Sequence, residues 1–145
     1  MKLNVGESRI EHTAGIEHGA TVELLEPLAS HAAVHAVHYP GLDPARHVPV
    51  GVRDAFAGYG GVLSFEVDAL RAEHLTGALE LALHAPSLGG PETLVTRPAL
   101  TSHLGLGPEA RAAIGIHDGL VRVACGIEAA EDIIADFAQA LAASG

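Results

Sequence analysis

The sequence predicts an α+β domain, with a mostly antiparallel sheet of about four strands and helices packed on one face. The chain has 145 residues, 48% of them apolar, which is enough for one domain with a buried core. Short β-favouring runs end at glycine or proline turns, and longer segments repeat apolar residues at helical spacing. We therefore expect residues 13–145 to form a single module after a flexible lead-in over residues 1–12.

The sequence of the first half of the chain predicts one helix and two strands. The helix begins near Gly15, and the strands cover residues 34–39 and 62–67, with a loop over residues 42–57 between them. The helix is indicated by apolar residues that recur every four positions. Pro27 lies inside this pattern, and because proline lacks a backbone N–H, we expect the helix to kink or end near Glu26. The loop contains two prolines and is expected to hold at most a short helix after Val52.

The second half predicts three helices and three strands. They are a helix over 69–79, strands over 81–85 and 92–96, a short helix from Pro108, a strand over 120–125 and a helix over 129–141. Proline suits the start of a helix because the first N–H needs no partner, and Glu109 favours the positive end of the helix dipole. The last helix begins with acidic residues and places Ile133, Phe137 and Leu141 on one face.

Composition excludes several classes of partner. The formal net charge is −10, and the basic residues are Lys2 and seven scattered arginines, so no patch can neutralise nucleic acid or an anionic membrane. No apolar run approaches the roughly 20 residues that span a bilayer, and the first residues do not resemble a signal peptide. The single Cys125 forms no internal disulfide. We therefore expect a cytoplasmic location.

An ordered set of short motifs carries a resemblance. The motifs are Val37-His38-Tyr39-Pro40-Gly41-Leu42, Gly58-Tyr59-Gly60-Gly61-Val62-Leu63-Ser64-Phe65, Ser87-Leu88-Gly89-Gly90 with Glu92, Thr101-Ser102-His103, Pro108-Glu109, Gly115-Ile116, Asp118-Gly119-Leu120-Val121-Arg122 and Gly126-Ile127-Glu128. Together they resemble the Cys/Met-metabolism enzymes that use pyridoxal phosphate, such as cystathionine γ-synthase, cystathionine γ-lyase and methionine γ-lyase. The resemblance covers only the smaller C-terminal domain of these enzymes. Departures from the family pattern lie at Pro27, at residues 53–56 and at Ala124-Cys125.

The resemblance implies a binding site for the α-carboxylate of an amino acid. In the family the arginine of the Gly-Leu-Val-Arg strand binds this group, and the serine of Ser-Leu-Gly-Gly lies beside it, which corresponds to Arg122 and Ser87. A guanidinium suits this role because it matches a carboxylate with two parallel hydrogen bonds. Two alternatives stay open. Arg122 pairs with a carboxylate of its own chain, or the Ser87 hydroxyl only caps the turn that follows it.

The resemblance places the cofactor chemistry outside this chain. The family's large domain holds pyridoxal phosphate and the lysine that binds it, whereas the only lysine here is Lys2. We therefore expect no catalytic and no cofactor-binding residue in this chain, which instead acts as a free-standing small subunit. A partner chain with the large domain would carry pyridoxal phosphate. The pair would catalyse a β- or γ-elimination or a γ-replacement on a small amino acid.

Three alternatives to a small subunit remain open at the level of sequence. The domain is a non-catalytic binding or regulatory module, or it has acquired an activity independent of pyridoxal phosphate through its histidines and acids, or it is a fragment of a longer enzyme. A neighbouring reading frame that encodes the missing large domain would favour the small subunit.

Other patterns carry weaker predictions. On a helix, His31, His35 and His38 would share one face and indicate zinc, but over a strand the last two point to opposite faces, so we expect no metal site. Residues 105–110 match a dinucleotide-binding pattern only superficially, since no βαβ unit is predicted around them. Cys125 is expected to be a small apolar residue of a strand.

Overall fold

The computed structural model describes residues 7–44, 48–51 and 58–145, and side chains from Glu17 onward. In chain order the elements are helix α1 (Glu7–Ser30), strand β1 (Ala36–His38), strand β2 (Val62–Glu66), helix α2 (Ala69–Ala78), strand β3 (Leu83–His84), strand β4 (Leu94–Thr96), a 3-10 helix (Pro98–Leu100), helix α3 (Pro108–Ala113), strand β5 (Leu120–Ala124) and helix α4 (Ala130–Ala143). The predicted α+β class is confirmed, and each strand lies within a segment whose sequence predicts one.

The sheet differs from the expected mostly antiparallel sheet of about four strands. It has five strands in the order β1-β2-β5-β4-β3. Three neighbouring pairs are antiparallel, but β3 and β4 run parallel, so the sheet is mixed. The reason lies in β3, which is two residues long and exposed. Such a short segment has no apolar pattern that could fix its direction or its neighbour.

The core lies between one face of the sheet and the three longer helices. Leu63 and Phe65 of β2 and Val121 of β5 are buried, because alternate residues of each strand point to this face. The Phe65 ring packs edge-on against Phe137 of α4, with centroids 6.1 Å apart. Helices α1 and α2 both pack against α4. Burial of these large apolar side chains is the main favourable contribution to folding.

Helix α1 begins earlier than the sequence predicts. It starts at Glu7 instead of near Gly15, so the second half of the expected flexible lead-in is helical. Residues 1–6 of that lead-in lie outside the described residues. Among the side chains of α1 that the structure describes, which begin at Glu17, the first buried residue is Ala20, within the part of the helix that the apolar spacing predicted.

The same helix does not end at Glu26. It continues through Pro27 to Ser30, which corrects the expected early end. An internal proline costs a helix about 3 kcal/mol. Leu24 and Leu28 lie on either side of the proline and are both fully buried. The apolar contacts of these two leucines offset that cost and keep the chain helical.

The expected loop over 42–57 lies largely outside the described residues. This applies to the predicted short helix after Val52 and to the departure from the family pattern at residues 53–56. Within the part of the chain that the structure describes, no helix is both long and apolar enough to cross a membrane.

Candidate functional site

Arg122 is the central residue of strand β5, and its neighbours determine where it points. Val121 and Val123 are fully buried in the helix-covered core. Alternation along the strand therefore turns Arg122 to the opposite face of the sheet, where it is partly exposed. The residue predicted to bind a carboxylate thus lies on the face directed away from the three longer helices.

The guanidinium of Arg122 has an incomplete set of hydrogen bonds. Its Nη2 donates to the backbone carbonyl of Ser87 at 2.5 Å. Its Nε is buried and has no partner among the residues described. A buried N–H without an acceptor costs about 1–3 kcal/mol, which an anion bound beside it would recover.

Among the side chains that the structure describes, which begin at Glu17, no carboxylate lies within ion-pair distance of Arg122, so the alternative of an internal ion pair is not observed in this part of the chain. The Nε of Arg97 and of Arg111 is likewise buried without a partner, but the other described arginines differ from Arg122 in having compensating groups at their remaining nitrogens. Arg111 Nη2 lies 2.6 Å from Asp118 Oδ1, and Arg97 Nη1 lies 3.9 Å from a glutamate oxygen. Arg71 donates at 3.3 Å to a carbonyl in the last turn of α4, where the helix dipole favours a cation.

Ser87 meets Arg122 through its backbone and not through its hydroxyl. It lies in the exposed turn after β3, in which Gly89 has φ +75°, a left-handed conformation that favours glycine. No described residue hydrogen-bonds the Ser87 hydroxyl, so turn capping is not observed there. The structure therefore brings together the two residues that the resemblance implied and leaves this hydroxyl available to a ligand.

Arg122 belongs to a polar row that crosses the sheet. The strand register places Ser64 of β2 and Thr96 of β4 directly opposite Arg122, and His38 of β1 opposite Ser64. Directly opposed side chains share a face and lie about 5 Å apart. The sequence did not predict this row, because strand alternation shows which residues share a face of one strand but not which strands are neighbours.

A separate set of hydrogen bonds holds the segment that leads from Ser87 into β4. Glu128 accepts from the Thr93 backbone N–H at 2.6 Å and from the Thr93 hydroxyl at 2.8 Å. The Gly126 N–H donates to the same hydroxyl at 3.0 Å. A Cβ at Gly126 would lie 2.3 Å from the carbonyl oxygen of Pro91, so this position requires glycine. These contacts fix the backbone on which Ser87 lies.

Asp136 is a buried polar residue that the sequence pattern did not single out. It is 6% exposed, and its carboxylate accepts backbone N–H groups from Glu80, Leu81 and Ala82 at 2.7–3.0 Å. Burial alone would raise the pKa of Asp136, but these bonds and one from Gln139 outweigh burial and lower it. The sequence did contain one signal for this role, since Asp136 lies within the apolar stripe of α4.

The histidines at 31, 35 and 38 do not form a metal site. His35 Nε2 lies 3.4 Å from Asp68 Oδ1, and His38 Nε2 lies 2.7 Å from Glu66 Oε1. His31 accepts the Ala33 N–H at 3.2 Å. Across the three described ranges, no group of three His, Cys, Asp or Glu side chains could hold a metal ion. The histidines next to β1 instead form separate surface pairs with carboxylates.

The two remaining motifs have structural roles. Cys125 is buried in the core, and burial is the main cause that raises the pKa of its thiol, as expected for a small apolar residue. Residues 105–110 lead into the short helix α3, which begins at Pro108 and lies between the antiparallel strands β4 and β5. This arrangement is not the βαβ unit that dinucleotide binding requires.

The side chains of this face could bind an anion. Arg122, Ser87 and Ser64 offer a guanidinium and two hydroxyls, which suit a carboxylate. The described residues do not fit pyridoxal phosphate, because none of them is a lysine whose amine could form an imine with it.

The sequence of this chain matches one family of known proteins. Residues 14–142 match the family described as Cys/Met metabolism PLP-dependent enzyme. The chain is 39% identical over 129 residues to cystathionine gamma-synthase 1, chloroplastic, of Nicotiana tabacum, covering 86% of this chain and 23% of that protein. It is 38% identical over 117 residues to cystathionine gamma-lyase of Bacillus subtilis, covering 79% of this chain and 30% of that protein.

Solved structures agree with this result. A cystathionine gamma-lyase of Micromonospora echinospora matches with a TM-score of 0.83 and 36% identity, over 92% of this chain and 35% of that one. A cystathionine gamma-synthase of Xanthomonas oryzae, in complex with cystathionine, matches with a TM-score of 0.81 and 32% identity, over 93% and 35%. The chain therefore spans about a quarter to a third of the length of these relatives.

Proposed function

Because the chain belongs to the Cys/Met metabolism PLP-dependent enzyme family, we propose that it is the C-terminal, substrate-binding part of a transsulfuration-type enzyme whose other part is a separate polypeptide. Its relatives include enzymes named cystathionine gamma-synthase, cystathionine gamma-lyase and homocysteine synthase. The reaction class is accordingly a β- or γ-elimination or a γ-replacement on a small amino acid, carried out in the cytoplasm by the assembled pair.

One observation carries this proposal: the partly exposed Arg122 side chain has a buried Nε without an acceptor and no carboxylate partner in the described part of the chain. A charge in this position needs an anion. The α-carboxylate of an amino acid supplies one, because its two oxygens accept from two N–H groups of a guanidinium at once. Arg122 holds this carboxylate, and the Ser87 hydroxyl donates a further hydrogen bond to it.

The chemistry of the cofactor supports the part of the proposal that assigns the cofactor to a second polypeptide. When bound, pyridoxal phosphate stabilises the carbanion that forms at the amino-acid α-carbon, and a lysine amine of the protein holds it. The only lysine of this chain is Lys2. The partner therefore supplies the lysine and the cofactor, while this chain binds and orients the substrate through Arg122.

Capture from the native cell extract tests the proposal. The tagged full chain should retain one partner in stoichiometric amount, identified by mass spectrometry as a lysine-bearing member of this family. The complex should show the visible absorbance of a protein-bound pyridoxal imine. If the chain is recovered alone and colourless, the small-subunit function is wrong, and a non-catalytic module or an activity independent of pyridoxal phosphate takes its place.

A further inference from the structure

Residues 100–118, here called the arm, connect the 3-10 helix after β4 to strand β5. None of these residues is buried, although the residues on either side of the arm, Ala99 and Gly119, both are. Helix α3 lies within the arm and has no buried residue. The arm is therefore a long surface excursion that contributes no fully buried side chain to the core of this chain.

The arm nevertheless has a defined shape, which its own polar contacts maintain. Arg111 donates through Nη1 to the Leu106 carbonyl at 2.8 Å and through Nη2 to Asp118 Oδ1 at 2.6 Å. The Ile116 N–H donates to the Arg111 carbonyl at 2.8 Å. Arg97 Nη2, just before the arm, donates to the Asp118 carbonyl at 3.3 Å and so ties the two ends together. A segment held in one shape without a core of its own is suited to packing against another surface.

The arm exposes several large apolar side chains within one segment. Four of the large exposed apolar residues of the described chain fall within it: Leu100, Leu104, Leu106 and Ile114. The most exposed is Leu104, at 64%. Single exposed leucines are ordinary in soluble proteins, but several within one short segment mark an interaction surface.

We propose that the arm is the surface on which the cofactor-carrying polypeptide docks; this inference rests on the proposed function. The arm begins beside the polar row, since the Thr101 and Thr96 hydroxyls are hydrogen-bonded at 3.0 Å and Thr96 lies directly opposite Arg122, and it ends four residues before Arg122. A chain seated on the arm is therefore connected to the carboxylate site through Thr101 and Thr96. The relatives, of which this chain spans 23–35%, carry the remaining length that such a partner would provide.

Charge favours this occupant over a second copy of the same chain. Each copy carries a formal net charge of −10, so two copies repel one another. The exposed apolar residues of the arm would be buried best by an apolar surface on the partner. The net charge of this chain favours a partner that is neutral or basic around that surface.

Capture with arm variants tests this inference. Leu104→Glu and Ile114→Glu each place a charge among the exposed apolar residues of the arm and leave the buried core unchanged. Val22→Glu is the matched control, because Val22 is 46% exposed on helix α1, outside the arm. The wild-type chain and Val22→Glu should retain the coloured, lysine-bearing partner equally, whereas each arm variant should retain about tenfold less. Circular dichroism and thermal midpoints of all variants should match the wild type.

The possible results separate the two proposals. If the wild-type chain retains the coloured partner and the arm variants retain as much, the docking surface is wrong and the subunit function stands. If the wild-type chain retains no such partner, the subunit function fails and the docking surface fails with it. If light scattering shows a dimer of the purified chain that Leu104→Glu dissociates, a second copy occupies the arm and the inference is overturned.

Discussion

The region around Asp136 and the region around Arg122 differ in how many hydrogen bonds they provide to a charged side chain. The Asp136 carboxylate lies at the junction of α4 with the segment before β3 and accepts bonds from three successive backbone N–H groups and from Gln139. The Arg122 guanidinium, on the face away from the helices, has one carbonyl partner and a buried Nε without an acceptor. Asp136 is buried and compensated by its own chain, whereas Arg122 is partly exposed and has no carboxylate partner in the described part of the chain.

This difference distinguishes a charge that serves the fold from one that serves a ligand. A buried charge with all its hydrogen bonds made stabilises the folded state, and removing it leaves its partners unsatisfied. A charge with bonds still to be made contributes little to folding and is ready to bind an anion. Substitutions at the first site should therefore change stability, and substitutions at the second site should change ligand binding.

The largest effect on stability is expected for Asp136→Ala. Loss of the carboxylate leaves the N–H groups of Glu80, Leu81 and Ala82 without an acceptor, so the free energy of unfolding should fall by about 3 kcal/mol. Urea denaturation measures this change in the free energy of unfolding. Asp132→Ala, at an exposed position of the same helix, is the control and should change stability by less than about 1 kcal/mol. A loss below 1 kcal/mol for Asp136→Ala would contradict the structural role of this carboxylate.

A somewhat smaller effect is expected for Gly126→Ala, which disturbs the backbone that supports Ser87. The added Cβ would lie 2.3 Å from the Pro91 carbonyl oxygen, so the free energy of unfolding should fall by about 2 kcal/mol. Gly77→Ala is the matched control, because nothing lies within 4 Å of a Cβ there and alanine favours its helix. Thermal unfolding should show a lower midpoint for the first variant and an equal or higher one for the second. Equal midpoints for Gly126→Ala and the wild type would mean that the segment can shift freely.

The pH dependence of stability should also report on Asp136. The pKa of this carboxyl is lowered in the folded chain, so its contribution is complete above the unfolded value near pH 4 and is lost as the pH falls through the folded value. Asp136→Asn cannot titrate at this position. Its free energy of unfolding should fall less steeply below pH 4 than that of the wild type in parallel denaturation series. Identical slopes would show that the folded and unfolded pKa values of Asp136 do not differ.

The smallest effect on stability is expected for Arg122→Gln. The substitution removes one hydrogen bond to the Ser87 carbonyl and one unsatisfied buried N–H, and these two changes oppose each other. The free energy of unfolding should change by less than about 1 kcal/mol in urea denaturation. A loss comparable to that of Asp136→Ala would show that Arg122 serves the fold.

The sequence predicted the positions of the helices and strands better than the contacts between them. Periodicity located the five strands and the main helices, because the core-facing residues are apolar and regularly spaced. The parallel pairing of β3, the continuation of α1 through Pro27 and the bonds of Asp136 all depend on residues distant in sequence, which no local pattern reports. Arg122 and Ser87 came from the family resemblance, and strand alternation agrees with the position of Arg122. Ser64 and Thr96 could be placed beside it only once the strand register was known.

The most direct test is the Michaelis constant of the assembled pair for its amino-acid substrate, measured with wild-type chain and with Arg122→Ala. Loss of the charge-assisted hydrogen bonds to the substrate carboxylate should raise this constant on the order of 100-fold, with the cofactor absorbance unchanged. Arg122→Lys should restore part of the loss, because it returns the charge without the paired donors. An unchanged Michaelis constant in Arg122→Ala would contradict the assignment of Arg122 to the substrate site.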